Sequence, residues 1–207
     1  MIDFFLFGGI AYLLGSIPTA VWVGKMKYGV DVREHGSKNA GATNTFRVLG
    51  KTPGIVVLII DILKGVIAVT LPFIFGVGEW GSDNLIHVQL ICALIAVVGH
   101  VLPIFAGFKG GKGVATSLGV IIGIHPLAAA ICLGIFLIVF IASKFVSLGA
   151  ITAACSFPIL LIVLFKVNSP WFIAFGAVLS LAVVYAHKKN IGRLLRGEEN
   201  KMNLFKK

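Results

Sequence analysis

Long apolar stretches separated by short polar loops make up most of this chain. They cover residues 4–24, 53–76, 85–106, 113–142, 147–166 and 170–187. A membrane-spanning helix needs about 20 apolar residues, so most of these stretches are long enough to cross a bilayer. The pattern therefore predicts an all-α integral membrane protein.

The stretch 113–142 is too long for one ordinary span, because a continuous helix of that length would measure about 45 Å. It contains the sequence Gly-Ile-His-Pro at 123–126, which is typical of a turn. Two short spans, 113–124 and 127–142, would place the lysine-rich loops on one side, as the positive-inside rule requires. We therefore predict seven transmembrane helices, with the N-terminus outside and the polar loops and C-terminus in the cytoplasm.

Composition supports one polytopic membrane domain over residues 1–207. Hydrophobic residues make up 58% of the chain and charged residues 13%, and the mean hydropathy is +1.01. The net charge of +10 does not indicate a nucleic-acid-binding protein, because the basic residues lie in short loops where orientation signals belong. The three cysteines lie in apolar segments without disulfide or zinc spacing, which favours a packing role.

The sequence GFKGGKGVAT at 107–116, here called the glycine–lysine stretch, lies between two apolar segments. Successive main-chain N–H groups in a glycine-rich loop can bind an anion, and a nearby lysine adds a positive charge. A helix that starts near Gly113 or Val114 would direct its N-terminal dipole at the same anion. The stretch predicts a phosphate site at the membrane surface, and the alternative is a turn whose lysines only set topology. It is not a nucleotide P-loop, because Ala106 and Gly113 occupy two required positions.

Two further polar clusters flank the apolar segments. Residues 35–47 are rich in Ser, Asn, Thr and Gly and end at Arg47, which could bind a phosphate through two hydrogen bonds. The alternative for this cluster is a capped amphipathic helix on the membrane. In the last cluster, His187 and Asn190 are three residues apart and share a helix face, whereas its lysines and arginines suit anionic headgroups.

Asp61 and Lys64 are three residues apart inside the second predicted span. Charges inside a membrane are costly and commonly functional. Each can neutralise the other here, so we favour a structural ion pair over a catalytic role. No carboxylate cluster suited to Mg²⁺ or Ca²⁺ is evident, and we expect neither a metal nor a cofactor.

Three segments resemble the acyl-phosphate:glycerol-3-phosphate acyltransferases of bacteria. They are GSKNAGATN at 36–44 with Arg47, then Gly99-His100 together with FKGGKGVAT at 108–116, and HKKNIGRLLRGE at 187–198. Order, spacing and the seven-span layout agree over essentially the whole chain. Lys38 stands where the resemblance leads us to expect glycine. The His-x4-Asp motif of the common glycerolipid acyltransferases is missing.

The resemblance implies transfer of a fatty acyl group from acyl phosphate to the 1-hydroxyl of sn-glycerol 3-phosphate. The products are lysophosphatidic acid and inorganic phosphate, and the reaction is the first acylation in bacterial phospholipid synthesis. Acyl phosphate is already activated, so the protein need not supply a nucleophile. A multi-pass protein of the bacterial inner membrane is expected, and an enzyme that makes acyl phosphate is a possible soluble partner.

The resemblance also implies roles for individual residues. The backbone of Gly110, Gly111 and Gly113, with Lys109 or Lys112, suits the donor phosphate. Arg47, Asn190 and His187 suit the phosphate and hydroxyls of the acceptor. The proton acceptor is either His187 or the donor's own phosphate. The resemblance suggests further polar contacts from Ser37, Thr43 and Asn44, and from Ser147 in the short loop before the sixth span.

A transporter or channel for a phosphorylated anion is the main alternative function, because it would also use basic residues and helix N-termini. Such transport sites usually lie near the midplane between inverted repeats, and no repeat is visible here. A membrane scaffold that binds anionic lipid is a second alternative, although it would not require the glycine–lysine stretch.

Overall fold

A computed structural model describes residues 2–202, and every regular element in that range is a helix. The α-helices are α1 (Ile2–Gly15), α2 (Thr19–Tyr28), α3 (Ala42–Leu49), α4 (Lys51–Ile74), α5 (Asp83–Val101), α6 (Val114–Ile124), α7 (Pro126–Ser143), α8 (Val146–Val163), α9 (Pro170–Ala186) and α10 (Lys188–Leu195), with a 3₁₀ turn at Ile104–Ala106. The chain forms two compact units, divided between His125 and Pro126.

Each predicted apolar segment contains a helix, and the predicted interruption before Pro126 is confirmed. Within residues 2–202, five segments are long and apolar enough to span a membrane: Asp3–Tyr28, Lys51–Ile74, Asp83–Ala106, Pro126–Ser143 and Val146–Val163. A sixth is added if α9 and α10, which meet at 61°, count as one span. The 11 residues of α6 give a length of about 17 Å, which is shorter than the hydrocarbon thickness of about 30 Å. The all-helical membrane class is therefore supported, with five or six long apolar spans in the described part.

The first span contains a break that the sequence pattern did not predict. α1 ends at Gly15 and α2 begins at Thr19, with Pro18 between them. Proline has no amide hydrogen to continue a helix. The break brings the carbonyl of Ile17 within 2.9 Å of the Lys64 ammonium, which donates to it. The break in the helix thus leaves the Ile17 carbonyl able to make a polar contact inside the first unit.

Close packing of α4 against α6 depends on glycine in the first unit. A Cβ on Gly65 would lie 2.5 Å from the carbonyl oxygen of Thr116, and a Cβ on Gly119 would overlap the carbonyl oxygen of Ile62. Small residues let helix backbones approach closely, which is how membrane helices gain packing energy. This contact fixes the start of α6, where the glycine–lysine stretch ends.

The second unit consists of α7 to α10. α7 packs on α8, α8 packs on α9, and α10 contacts both α8 and α9. Phe157 of α8 and Phe175 of α9 form an edge-to-face pair with centroids 6.2 Å apart. This packing brings the start of α8 close to α10, so residues distant in sequence meet there.

Candidate functional site

Asn44 organises the loop that precedes α3. Its side-chain oxygen accepts a hydrogen bond from the backbone N–H of Ser37 at 2.8 Å. Its Nδ2 donates to the carbonyls of Val32 at 2.7 Å and His35 at 3.1 Å. Asn44 is 1% exposed, so its side chain holds the loop together, and its predicted contact with substrate stays a prediction.

The other candidates in this cluster are more accessible. Ser37 and Arg47 are exposed, and Thr43 is half-buried in the first turn of α3. Arg47 makes no hydrogen bond or ion pair with a described residue, so its guanidinium is available to an anion. Lys38 adopts φ 57°, the left-handed region that favours glycine, which accounts for the glycine expected at this position. The amphipathic helix weighed as an alternative is present as α3, but Gly41 is its N-cap and makes no side-chain cap.

A charged contact joins this loop to the glycine–lysine stretch. Arg33 donates from Nη2 to Asp31 at 2.8 Å and from Nη1 to the carbonyl of Ala106 at 2.7 Å. Lys25 lies 3.1 Å from the same carboxylate. The hydrogen bonds from Arg33 hold the pKa of the Asp31 carboxyl well below its usual range, against the opposite effect of burial. Arg33 therefore links the first polar loop to the residue just before Gly107.

Two backbone amides of the glycine–lysine stretch form hydrogen bonds within the protein. The amide of Gly110 donates to the carbonyl of Val101 and that of Gly111 to the carbonyl of His100, each at 3.2 Å. These two amides already have acceptors, and the predicted role of the Gly110 and Gly111 backbone in binding phosphate stays a prediction. Lys109 is exposed and Lys112 is half-buried, and both stay candidates for binding an anion.

The glycine–lysine stretch runs into the start of α6, and the predicted start of this helix is confirmed. Gly113 is its N-cap with φ 79°, and the first amide paired within the helix is that of Ser117, which donates to Gly113 at 2.7 Å. The amides of the first turn have no intrahelical acceptor and carry the positive end of the dipole.

Two hydroxyl groups missed by the sequence analysis lie in the same turn. Thr116 and Ser117 are 0% and 6% exposed, and their hydroxyls have no hydrogen-bond partner among the described residues. Buried hydroxyls are normally paired, so this turn has unused polar capacity. Thr116 is the last residue of the glycine–lysine stretch and Ser117 follows it, so their position next to this stretch could have identified them.

In the second unit, His187 lies at the bend between α9 and α10 and is 3% exposed. Its Nδ1 is 2.8 Å from the carbonyl oxygen of Val183. A carbonyl can only accept, so this contact selects the tautomer with its proton on Nδ1 and its lone pair on Nε2. Nε2 is therefore the unprotonated nitrogen of the ring in this tautomer.

Glu199 contacts two of the predicted site residues, and the sequence analysis did not single it out. Its Oε1 accepts from Asn190 at 2.7 Å and from Ser147 at 3.1 Å, and its Oε2 accepts from Arg193 at 2.7 Å. Burial alone would raise the pKa of the Glu199 carboxyl, but the hydrogen bonds from Arg193 and Asn190 keep it below its usual value. The quoted motif ended one residue earlier, at Glu198, which instead pairs with the exposed Arg196.

The candidates are thus divided between the two compact units. The first comprises Ser37, Thr43, Asn44, Arg47, Lys109, Gly110, Gly111, Lys112 and Gly113, and the second comprises Ser147, His187 and Asn190. The assignment of both groups to one reaction stays a prediction.

These observations define a class of protein: an all-helical membrane protein with exposed cations and a helix N-terminus suited to a phosphate. A sequence model of a family described as glycerol-3-phosphate acyltransferase matches residues 5–197. The chain belongs to this family, and the resemblance drawn from the motifs is confirmed.

Individual relatives agree with that membership. Proteins named glycerol-3-phosphate acyltransferase from Chlorobaculum tepidum and Fusobacterium nucleatum are 41% and 45% identical. The alignments cover 100% of both chains in the first case, and 96% of this chain and 97% of the relative in the second.

Solved structures of PlsY (YgiH), an integral membrane glycerol 3-phosphate acyltransferase, are also similar to this chain. The glycerol 3-phosphate form has a TM-score of 0.86 at 38% identity, covering 98% of this chain and 99% of the other. The lysophosphatidic acid form has a TM-score of 0.83 at 37% identity, covering 97% and 95%.

Proposed function

We infer that this protein transfers a fatty acyl group from acyl phosphate to the 1-hydroxyl of sn-glycerol 3-phosphate. The products are 1-acyl-glycerol 3-phosphate and inorganic phosphate. The observation that carries this conclusion is the family match over residues 5–197. The similar structures named for glycerol 3-phosphate and lysophosphatidic acid supply the acceptor and the product.

The chemistry needs little covalent help from the protein. Acyl phosphate is a mixed anhydride, so the acceptor hydroxyl attacks its carbonyl carbon and the carbon–oxygen bond to phosphate breaks. The hydroxyl proton passes to Nε2 of His187 or to the donor's phosphate, and phosphate leaves with the bonding electrons. The contact between Nδ1 and Val183 supports the first route, because it leaves the lone pair on Nε2.

Positive charge and main-chain dipoles are the main contribution of the first unit. The N-terminus of α6, with Lys112 and Lys109, would bind the donor phosphate and stabilise charge that develops on the carbonyl oxygen. Arg47 would bind the acceptor phosphate. The exposure of Arg47 and the polar first turn of α6 support these roles.

Asn190 would contact an acceptor hydroxyl. Its Nδ2 donates to Glu199, which orients the side-chain amide for this contact. Ser37, Thr43 and Ser147 would add polar contacts, although the hydroxyl of Ser147 already donates to Glu199.

The membrane arrangement that we propose has seven helices in the bacterial inner membrane, with the N-terminus outside and the C-terminus in the cytoplasm. Of the 18 lysines and arginines, all except Lys64 and Lys166 would then be cytoplasmic, which agrees with the positive-inside rule. The shortness of α6 fits a helix whose N-terminus opens into a recessed polar site. A soluble enzyme that makes acyl phosphate would be a natural partner, because the donor is reactive and amphipathic.

The test is acyl transfer by the purified full-length protein. Palmitoyl phosphate should release phosphate and yield lysophosphatidic acid in equal amounts when glycerol 3-phosphate is present, and palmitoyl-CoA should not replace it. Absence of lysophosphatidic acid would exclude this function. Movement of glycerol 3-phosphate into proteoliposomes without acyl transfer would indicate a transporter.

A further inference from the structure

A buried polar cluster lies beneath the glycine–lysine stretch. Lys64 of α4 is 2.8 Å from Oδ1 of Asp61, and Thr19 donates to the same oxygen at 3.1 Å. His100, in the last turn of α5, places its Nδ1 3.7 Å from that oxygen. The side chains of Asp61, Lys64 and His100 are only 2–5% exposed, so three elements converge on one buried carboxylate oxygen.

The opposite edge of the His100 ring lies against the glycine–lysine stretch. A Cβ placed on Gly111 would overlap Nε2 of His100, so the ring packs directly on the Gly111 backbone. The carbonyl of His100 accepts from the Gly111 amide at 3.2 Å. A cavity of about 10 Å³, roughly the size of one water molecule, lies among Asp61, Lys64, His100 and the two glycines 110 and 111.

Burying the charges of this cluster costs free energy, so its presence needs a physical explanation. Buried ion pairs often contribute little net stability, and apolar side chains of similar volume can replace them without loss. Such a pair does fix geometry, however, because its hydrogen bonds are directional and each partner is costly to displace. Asp61 is held from two sides by Lys64 and Thr19 and therefore presents a fixed oxygen to His100.

We propose that His100 is a positioning residue for the glycine–lysine stretch, oriented by the buried Asp61–Lys64 pair. The ring and carbonyl of His100 hold the backbone at Gly111, and this fixes the approach to Lys112 and the N-cap Gly113. This inference rests on the proposed function only in assigning a phosphorylated substrate to the stretch. The position of the backbone itself can be measured without substrate.

The decisive experiment is amide hydrogen exchange on the full-length protein in detergent micelles, comparing wild type with His100→Ala. Exchange across residues 107–113 should become at least about tenfold faster, because local opening costs less free energy, while the middle of α5 stays protected. His87→Ala, near the other end of α5, is the matched control and should leave residues 107–113 unchanged. Unchanged exchange in His100→Ala would overturn the proposal.

Steady-state kinetics separate positioning from general loss of structure. His100→Ala should raise the KM of a phosphorylated substrate about 5- to 20-fold with a smaller change in kcat, as expected when binding geometry is lost. His100→Asn keeps a donor near the Nδ1 position and should recover part of the loss. If His100→Ala leaves the KM of each substrate at its wild-type value, the proposal is also overturned.

A double variant keeps the test informative if His100→Ala folds poorly. Gly111→Ala should lower both the folded yield and the protection from exchange, because the new methyl group overlaps the His100 ring. His100→Ala/Gly111→Ala should recover both relative to Gly111→Ala, because removing the ring makes room for the methyl group. Additive defects would contradict the contact. Gly134→Ala, where a Cβ would meet nothing within 4 Å, controls for glycine replacement. Exchange and yield do not depend on acyl transfer, so this inference and the enzyme assignment can fail separately.

Discussion

Asn190 donates its side-chain amide to Glu199 over 2.7 Å, and Arg193 donates to the other oxygen of that carboxylate at the same distance. Glu199 thus fixes the orientation of a residue predicted to bind substrate. A carboxylate that accepts several hydrogen bonds, including one from an arginine, is a strong anchor. Asn190 is therefore presented by a preformed network that includes Ser147.

Replacing Glu199 with Gln should weaken this anchor. The new amide group would face donors where an oxygen now accepts, so we expect a loss of about 1.5–3 kcal/mol in the free energy of unfolding and a higher KM for glycerol 3-phosphate. Thermal unfolding and steady-state kinetics would measure the two effects. Glu198→Gln is the matched control, because Glu198 is 59% exposed where Glu199 is 7% exposed. Equal effects of the two variants would contradict the anchoring role.

The two lysines of the glycine–lysine stretch should be required for catalysis but not for folding. Lys112→Ala or Lys109→Ala removes a positive charge from the predicted phosphate site, and we expect acyl transfer to fall about 100-fold or more. Thermal unfolding should stay close to wild type for Lys109→Ala, because Lys109 is exposed. Lys166→Ala, distant in sequence from the motifs, is the control. A variant with a near-normal rate would remove that lysine from the site.

Arg47→Ala should affect one substrate more than the other. Arg47 is exposed on α3, and a guanidinium there can bind a phosphate with two hydrogen bonds. We expect the KM for glycerol 3-phosphate to rise by about tenfold or more, with a smaller change for acyl phosphate. Arg196→Ala provides an exposed arginine for comparison. Equal increases in the two KM values would mean that Arg47 binds a different substrate or both.

The Asp31–Arg33 contact should make stability depend on pH in the acid range. The folded-state pKa of Asp31 lies below its usual value, so its contribution is complete above the unfolded pKa of about 3.9 and is lost as the pH falls toward the folded pKa. Asp31→Asn should therefore destabilise the protein at pH 7, and the difference from wild type should shrink below about pH 4. Unfolding in detergent at several pH values would measure this, and a difference independent of pH would contradict it.

Local sequence patterns predicted much of the fold. The lengths of the apolar stretches predicted the helical segments. Pro126 predicted the start of α7, and the glycines before Val114 predicted the start of α6. The spacing of Asp61 and Lys64 correctly predicted an ion pair, because residues three apart in a helix are neighbours. The motifs were sufficient to identify the family.

Long-range packing decided the rest. Glu199 meets Ser147, and His100 approaches Asp61, only because separate helices pack together. The sequence suggested that Asn44, Gly110 and Gly111 would bind substrate. In the structure, the Asn44 side chain is buried and donates to Val32, and the amides of the two glycines donate to carbonyls of α5. The sequence by itself determined the membrane class, the helices and the chemical types present, because these depend on neighbouring residues. Only the tertiary structure decided which polar groups are used internally, because a donor's partner depends on which distant backbone or side chain lies within about 3 Å of it.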